Sequence, residues 1–126
     1  MKQILVVEDD AFTRTGLAHY LNLIGYHVVE TADVHSAWKY AVEQQPDKAV
    51  LDLRLPLRPE DVGTTVREPH GIDLAKQLKR SFPTMGIVIY SAYPGYKEDV
   101  IQMMQQFDRS MAFLLKGGEM DRLVQA

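Results

Sequence analysis

Five short apolar runs recur along the chain, and between them the hydrophobic spacing switches to the period of a helix. The runs are Ile4-Leu5-Val6-Val7, Tyr26-His27-Val28-Val29, Ala49-Val50-Leu51, Ile87-Val88-Ile89-Tyr90 and Met111-Ala112-Phe113-Leu114-Leu115. The third has no polar alternation, which reads as a strand buried on both faces. A helical face of Leu17, Tyr20, Leu21 and Ile24 follows the first run and stops at Gly25. Asp33 caps a second helix with Val34, Ala37, Trp38 and Ala41 on one side, and the stretch 44–47 breaks it. Gly71-Ile72 opens a third helix bearing Leu74, Leu78 and Phe82, and Pro83 closes it. A fourth follows Pro94-Gly95 and carries Val100, Met103, Met104 and Phe107, read as core rather than a binding surface. The last eight residues begin a fifth, short or truncated helix.

Strands alternating with helices predict an α/β fold with a parallel sheet covered on both faces. Right-handed crossovers leave the flavodoxin-like doubly wound sheet, five strands in the order 2-1-3-4-5, as the leading topology. The 126 residues suit one domain over the whole chain, with an extended loop at about 53–70. That loop holds Pro56, Pro59, Gly63 and Pro69 and no periodicity, and connections so long tend to be functional or disordered. A net charge of −3 excludes a basic field for wrapping nucleic acid. With no cysteine, disulfides, thiolate metal sites and cysteine nucleophiles are excluded together. The N-terminal apolar run is too short for a signal sequence or a membrane span, so a cytoplasmic protein is expected. His19, His27, His35 and His70 lie in different elements without ligand spacing and read as surface or edge residues. Lys79-Arg80 reads as a solvated helix end.

In such sheets ligands bind at the carboxyl ends of the strands. Strand one delivers Glu8 and Asp9 to that edge, with the acids placed at the strand end and in the next helix's first turn. Strand three delivers Asp52, strand four Ser91 and strand five Lys116, while strand two delivers only Glu30 and Thr31 at the sheet's border. Each has a bland explanation as a cap or a dipole-complementing charge, but their recurrence at successive strand ends argues for a site. Carboxylates held close repel one another and call for a divalent cation. Oxygen-only donors point to Mg²⁺. A cation and a lysine neutralise an incoming phosphoryl group, and a carboxylate can then act as the nucleophile. Ser91 would donate its hydroxyl to a phosphoryl oxygen.

This ordered set resembles the receiver domain of two-component response regulators. The resemblance rests on residues 4–10, on Leu51-Asp52-Leu53-Arg54-Leu55-Pro56, on Ile89-Tyr90-Ser91-Ala92 and on Phe113-Leu114-Leu115-Lys116, and it covers essentially the whole chain. It implies a phosphorelay switch in which Asp52 accepts a phosphoryl group from a histidine kinase or phosphotransfer protein, so that partner interactions change. It implies Mg²⁺ held by Glu8, Asp9, Asp52 and the Arg54 backbone carbonyl, with Asp9 a direct ligand. Ser91 matches the switch hydroxyl, Lys116 the lysine, and Phe113 the aromatic whose rotamer follows the hydroxyl. Arg54 and Tyr93 match the positions that tune autodephosphorylation. Such a domain catalyses its own phosphorylation and dephosphorylation without being a conventional enzyme. An effector domain after residue 126, a separate downstream protein and a phosphorylation-dependent dimer are all compatible outputs; no membrane or direct nucleic-acid contact is expected.

Two departures from the family pattern stand out. Gly117 replaces the usual proline after the lysine, and since a cis bond without proline costs about 2.5–4 kcal/mol, a trans Lys116–Gly117 peptide is expected. Gly71 matches a helix-opening glycine that usually comes sooner, which implies an insertion of roughly ten residues beside Asp52. The insertion is read either as a modulator of access or partner contact, or as a tolerated disordered segment. Both departures favour an alternative, a phosphorylation-independent pseudo-receiver acting as an interaction module. A dehalogenase-like phosphatase fits poorly, because Arg54 stands where the second aspartate of its Asp-x-Asp motif would be.

Overall fold

A computed structural model describes residues 2–92, 94–106 and 111–116 of the chain. Five parallel strands form one sheet in the order β2-β1-β3-β4-β5, as expected from the alternation of the sequence. They are β1 (Gln3–Val7), β2 (His27–Thr31), β3 (Lys48–Leu51), β4 (Gly86–Ser91) and β5 (Met111–Leu115). Between them run α1 (Ala11–Leu23), α2 (Val34–Gln44), α3 (His70–Ser81) and α4 (Lys97–Gln106). Among the described residues, no helix is long and apolar enough to cross a membrane. The expected fifth helix, Phe107, Tyr93 and the Lys116–Gly117 bond lie outside the described residues.

The period of two along each strand divides the core. Leu5, Val7, Ala49, Leu51, Ile87 and Ile89 face one side, where Ala37 and Ala41 of α2, Leu74, Ala75 and Leu78 of α3 and Val100 and Met103 of α4 pack onto them. Ile4, Val6, Val50, Val88 and Tyr90 face the other side, against Leu17 and Leu21 of α1. Both faces of β1, β3 and β4 are thus buried, which is why those runs lack polar alternation. β2 stands at the border and extends through Glu30 and Thr31, where the Thr31 hydroxyl donates to the Val6 carbonyl at 3.1 Å.

The helix ends differ from expectation in instructive ways. Asp10 does not lie in the first turn of α1. It caps the helix from outside, accepting from the Thr13 amide at 2.9 Å and hydroxyl at 2.7 Å. Glu8 and Asp9 are therefore left in the connection, free of a helical role. Asp33 caps α2 as expected, through the Ser36 amide at 2.8 Å. Ile24, placed on the buried face of α1 by its spacing, is 44% exposed because it is the C-cap and leaves the helical stripe.

Lys79 is a clear correction. It is buried, and its ammonium donates to the carbonyls of Pro83 (2.8 Å) and Met85 (2.6 Å). It falls four residues after Ala75 and seven after Ile72, on the buried stripe of α3, and its long stem carries the charge to the carbonyls of the α3–β4 connection. Arg80, by contrast, is exposed.

The long loop is tied down at both ends. Leu53 and Leu55 are fully buried, so the first part belongs to the core. The carbonyls of Pro56 and Leu57 then accept from the amides of Val34 (3.0 Å) and His35 (2.9 Å), satisfying open donors at the start of α2. A single 3₁₀ turn spans Pro59–Asp61. The Leu53 carbonyl accepts from the Gly71 amide at 2.8 Å, which closes the loop where α3 begins.

Candidate functional site

The register of the sheet determines which side chains meet. Val7 pairs with Leu51 and Thr31, so the residues that follow, Glu8 and Asp52, leave neighbouring strands side by side. The Asp52 amide donates to the Val7 carbonyl (3.0 Å) and the Glu8 amide to Thr31 (3.0 Å), carrying the sheet pattern one residue further. Ser91 pairs with Leu115, and its carbonyl accepts from the Lys116 amide at 2.8 Å. Lys116 thereby emerges beside the acidic pair from two strands away.

Glu8 and Asp52 are buried, Asp9 is half-buried, and each offers a carboxylate oxygen within 4.8 Å of the others. The Lys116 ammonium pairs with Glu8 and lies 3.3 Å from Asp52 Oδ2. The Leu53 amide donates to Asp52 Oδ1 at 2.8 Å, and the Asp10 amide to Glu8 Oε2 at 3.2 Å. Burial and the adjacent Asp52 charge push the Glu8 carboxyl up to about 8 against the opposing pull of Lys116. Burial alone would depress the Lys116 ammonium, yet its hydrogen bond to Glu8 and the charges of Asp52 and Glu8 hold it above its ordinary value. One ammonium among three carboxylates leaves an excess of negative charge in a confined space. Oxygen donors without histidine or cysteine in the group suit a hard divalent cation.

The other expected residues take separate places. Ser91 is fully buried at the end of β4, and the next residue, Ala92, faces the cleft. Phe113 is half-buried on the α2–α4 side of the sheet. The Arg54 guanidinium lies over the Tyr96 ring, 5.6 Å from its centroid, and Arg54 lines the same cleft. The histidines form no cluster with the acids; His70 sits 3.2 Å from Glu68.

The cleft has a volume of about 300 Å³, and its floor is the acidic group with Lys116. The sequence placed the inserted loop beside Asp52 but did not single out which of its residues form a wall of the cleft. Thr64, Thr65 and Val66, from the middle of the long loop, also line it. Nothing in their spacing or composition marked them. Tyr96, also unremarked in the sequence, donates its hydroxyl to the Arg67 carbonyl at 3.1 Å and so ties this part of the loop to the segment after β4.

The phosphate regulon transcriptional regulatory protein PhoB of Pseudomonas aeruginosa is 33% identical over 105 residues, covering 82% of this chain and 41% of PhoB. The chain thus spans less than half the length of that relative. A response regulator receiver domain protein from Clostridium thermocellum superposes with a TM-score of 0.78 at 18% identity, over 98% of this chain and 88% of that one. The response regulator TrrA of Thermotoga maritima gives 0.77 at 24% identity, over 99% and 95%. At those identities the likeness speaks for the fold. Family membership rests on the sequence itself: residues 4–126 match the response regulator receiver domain, and the chain belongs to that family, the signalling switches of two-component systems.

Proposed function

We propose that Asp52 is the phosphoacceptor of this switch and receives its phosphoryl group from a histidine kinase or phosphotransfer protein. The observation that carries this reading is the Lys116 ammonium 3.3 Å from Asp52 Oδ2 and paired with Glu8, at the floor of an open cleft. An Asp52 carboxylate oxygen forms the new bond to phosphorus as the bond to the donor's imidazole nitrogen breaks. The Leu53 amide orients the carboxylate for that attack, and Lys116 offsets the charge of the incoming oxygens. Glu8, Asp9, Asp52 and the Arg54 backbone carbonyl would hold Mg²⁺, which supplies charge neutralisation for the phosphoryl oxygens when bound. Support for that assignment comes from the all-oxygen donor set and from TrrA, whose structure is a complex with Mg²⁺ and BeF.

Ser91 donates its hydroxyl to a phosphoryl oxygen, and Phe113, two residues into the neighbouring strand's register, follows that movement. Arg54 and Tyr93 tune the return to the unphosphorylated state. The output is a change in affinity for an effector domain or a downstream protein, in a cytoplasmic setting.

The test is intact-mass measurement after incubation with Mg²⁺ and a small phosphodonor. A single labile phosphate is expected on the protein and none on Asp52→Asn. If neither phosphate nor Mg²⁺ binding is detected, the chain is a phosphorylation-independent interaction module instead.

A further inference from the structure

We infer that residues 64–66 form a strap that governs how long the phosphoryl group survives on Asp52, and that Tyr96 holds this strap in place. The inference rests on the reading of Asp52 as acceptor and adds residues that no part of that chemistry requires.

Three observations carry it. The first is position: Thr64, Thr65 and Val66 line the same cleft as Glu8, Asp9, Asp52 and Lys116. The second is that the same three residues also line a separate cavity of about 450 Å³, together with Leu57 and His70. The strap therefore borders two cavities at once, and its anchors bear on how it sits between them.

The third observation is the anchors themselves. On the N-terminal side, the Thr64 amide and hydroxyl both donate to the Asp61 carbonyl, at 3.1 and 2.6 Å, and the 3₁₀ turn braces Asp61 in turn. On the C-terminal side, the Tyr96 hydroxyl donates to the Arg67 carbonyl at 3.1 Å. Tyr96 belongs to the segment that follows Ser91, and its ring lies under the Arg54 guanidinium. The strap is thus fixed to the same stretch of chain that leads from β4 into α4.

Hydrolysis returns Asp52 to its starting state. A water oxygen forms a bond to phosphorus while the bond to the Asp52 carboxylate oxygen breaks, inorganic phosphate leaves, and the water's proton passes to phosphate or solvent. That water must enter the cleft. Thr65 and Val66 line that cleft, so removing their side chains widens it and admits water more freely.

The experiment phosphorylates the whole chain with a small phosphodonor, removes the donor, and follows loss of the phosphate by intact mass. Thr65→Gly combined with Val66→Gly keeps the chain length, and circular dichroism checks that it folds. This variant is expected to hydrolyse at least about fivefold faster than the unaltered protein, a modest change in barrier. Tyr96→Phe removes only the hydroxyl and keeps the ring beneath Arg54. It is expected to speed hydrolysis in the same direction with an unchanged melting temperature, which a purely structural role would not produce. Hydrolysis of the glycine variant within about twofold of the unaltered rate overturns the strap and leaves Asp52 as acceptor intact. An unaltered rate in Tyr96→Phe overturns its role as anchor. No phosphate on the unaltered protein overturns the strap and the acceptor reading together.

Discussion

Lys79 brings a charge into the core, where its ammonium donates to the carbonyl oxygens of Pro83 and Met85. Removing it leaves the Pro83 and Met85 carbonyls without this donor. Lys79→Met fills the same space without an N–H, so it is expected to destabilise the fold by about 1–3 kcal/mol, read by urea denaturation. A loss below about 0.5 kcal/mol would mean water replaces the ammonium there. The sequence made Lys79 look like a solvated helix end because its charge outweighed its place on the apolar stripe. Glu8, Asp52 and Lys116 were legible for the opposite reason: polar residues ending apolar strands have nowhere to go but the strand-end crevice. That Asp10 caps α1 while Asp9 faces the acidic group was not legible, since three consecutive acids look alike in a string of letters.

At the scale of elements, the joint between β3 and α3 leaves less room for a side chain at Gly71 than there is at any other described glycine. A Cβ on Gly71 would collide with the Asp52 carbonyl oxygen and stand 2.9 Å from the Leu53 Cα, both backbone atoms that cannot turn aside. Gly71→Ala therefore has to push α3 away from the end of β3. Its expected cost is about 1–3 kcal/mol of stability, and the displaced Asp52 should take up phosphate more slowly from a small donor. Normal stability together with normal phosphorylation would show that the joint yields. The sequence marked Gly71 as the opening of a helix, but the need for glycine comes from a residue nineteen positions earlier, and no local pattern carries that information. The start of α2 is similar. Its amides are satisfied partly by Asp33, which the sequence announced, and partly by the carbonyls of Pro56 and Leu57, which it did not. Proline suits that edge, where the loop gives carbonyls and its missing N–H is not needed.

Over the whole molecule, the sheet gathers like charges that would be apart in the unfolded chain. Burial of Glu8 beside Asp52 works against folding, as its raised protonation range records. A cation bound only by the folded state offsets this through mass action. Mg²⁺ at ten times its dissociation constant should add about 1.4 kcal/mol, seen as a rise in melting temperature of a few degrees. Asp52→Asn, lacking one donor charge, should show a smaller rise, and an equal rise in both would place the ion elsewhere. The topology was legible because the five runs, the crossover rule and the strand-end polar residues all point to one arrangement. The course of residues 57–69 was not, because that segment has no period and takes its shape from contacts with distant elements. The residues that flank it nevertheless meet: the Leu53 carbonyl and the Gly71 amide are hydrogen-bonded partners. To the sheet, the chain leaves and returns at one point, and doubling the length in between costs only about 0.6 kcal/mol of closure entropy. This segment is a cassette. If the strap acts as proposed, exchanging this stretch resets how long the signal is remembered, while Glu8, Asp9, Asp52 and Lys116, which would write it, stay where the sheet holds them.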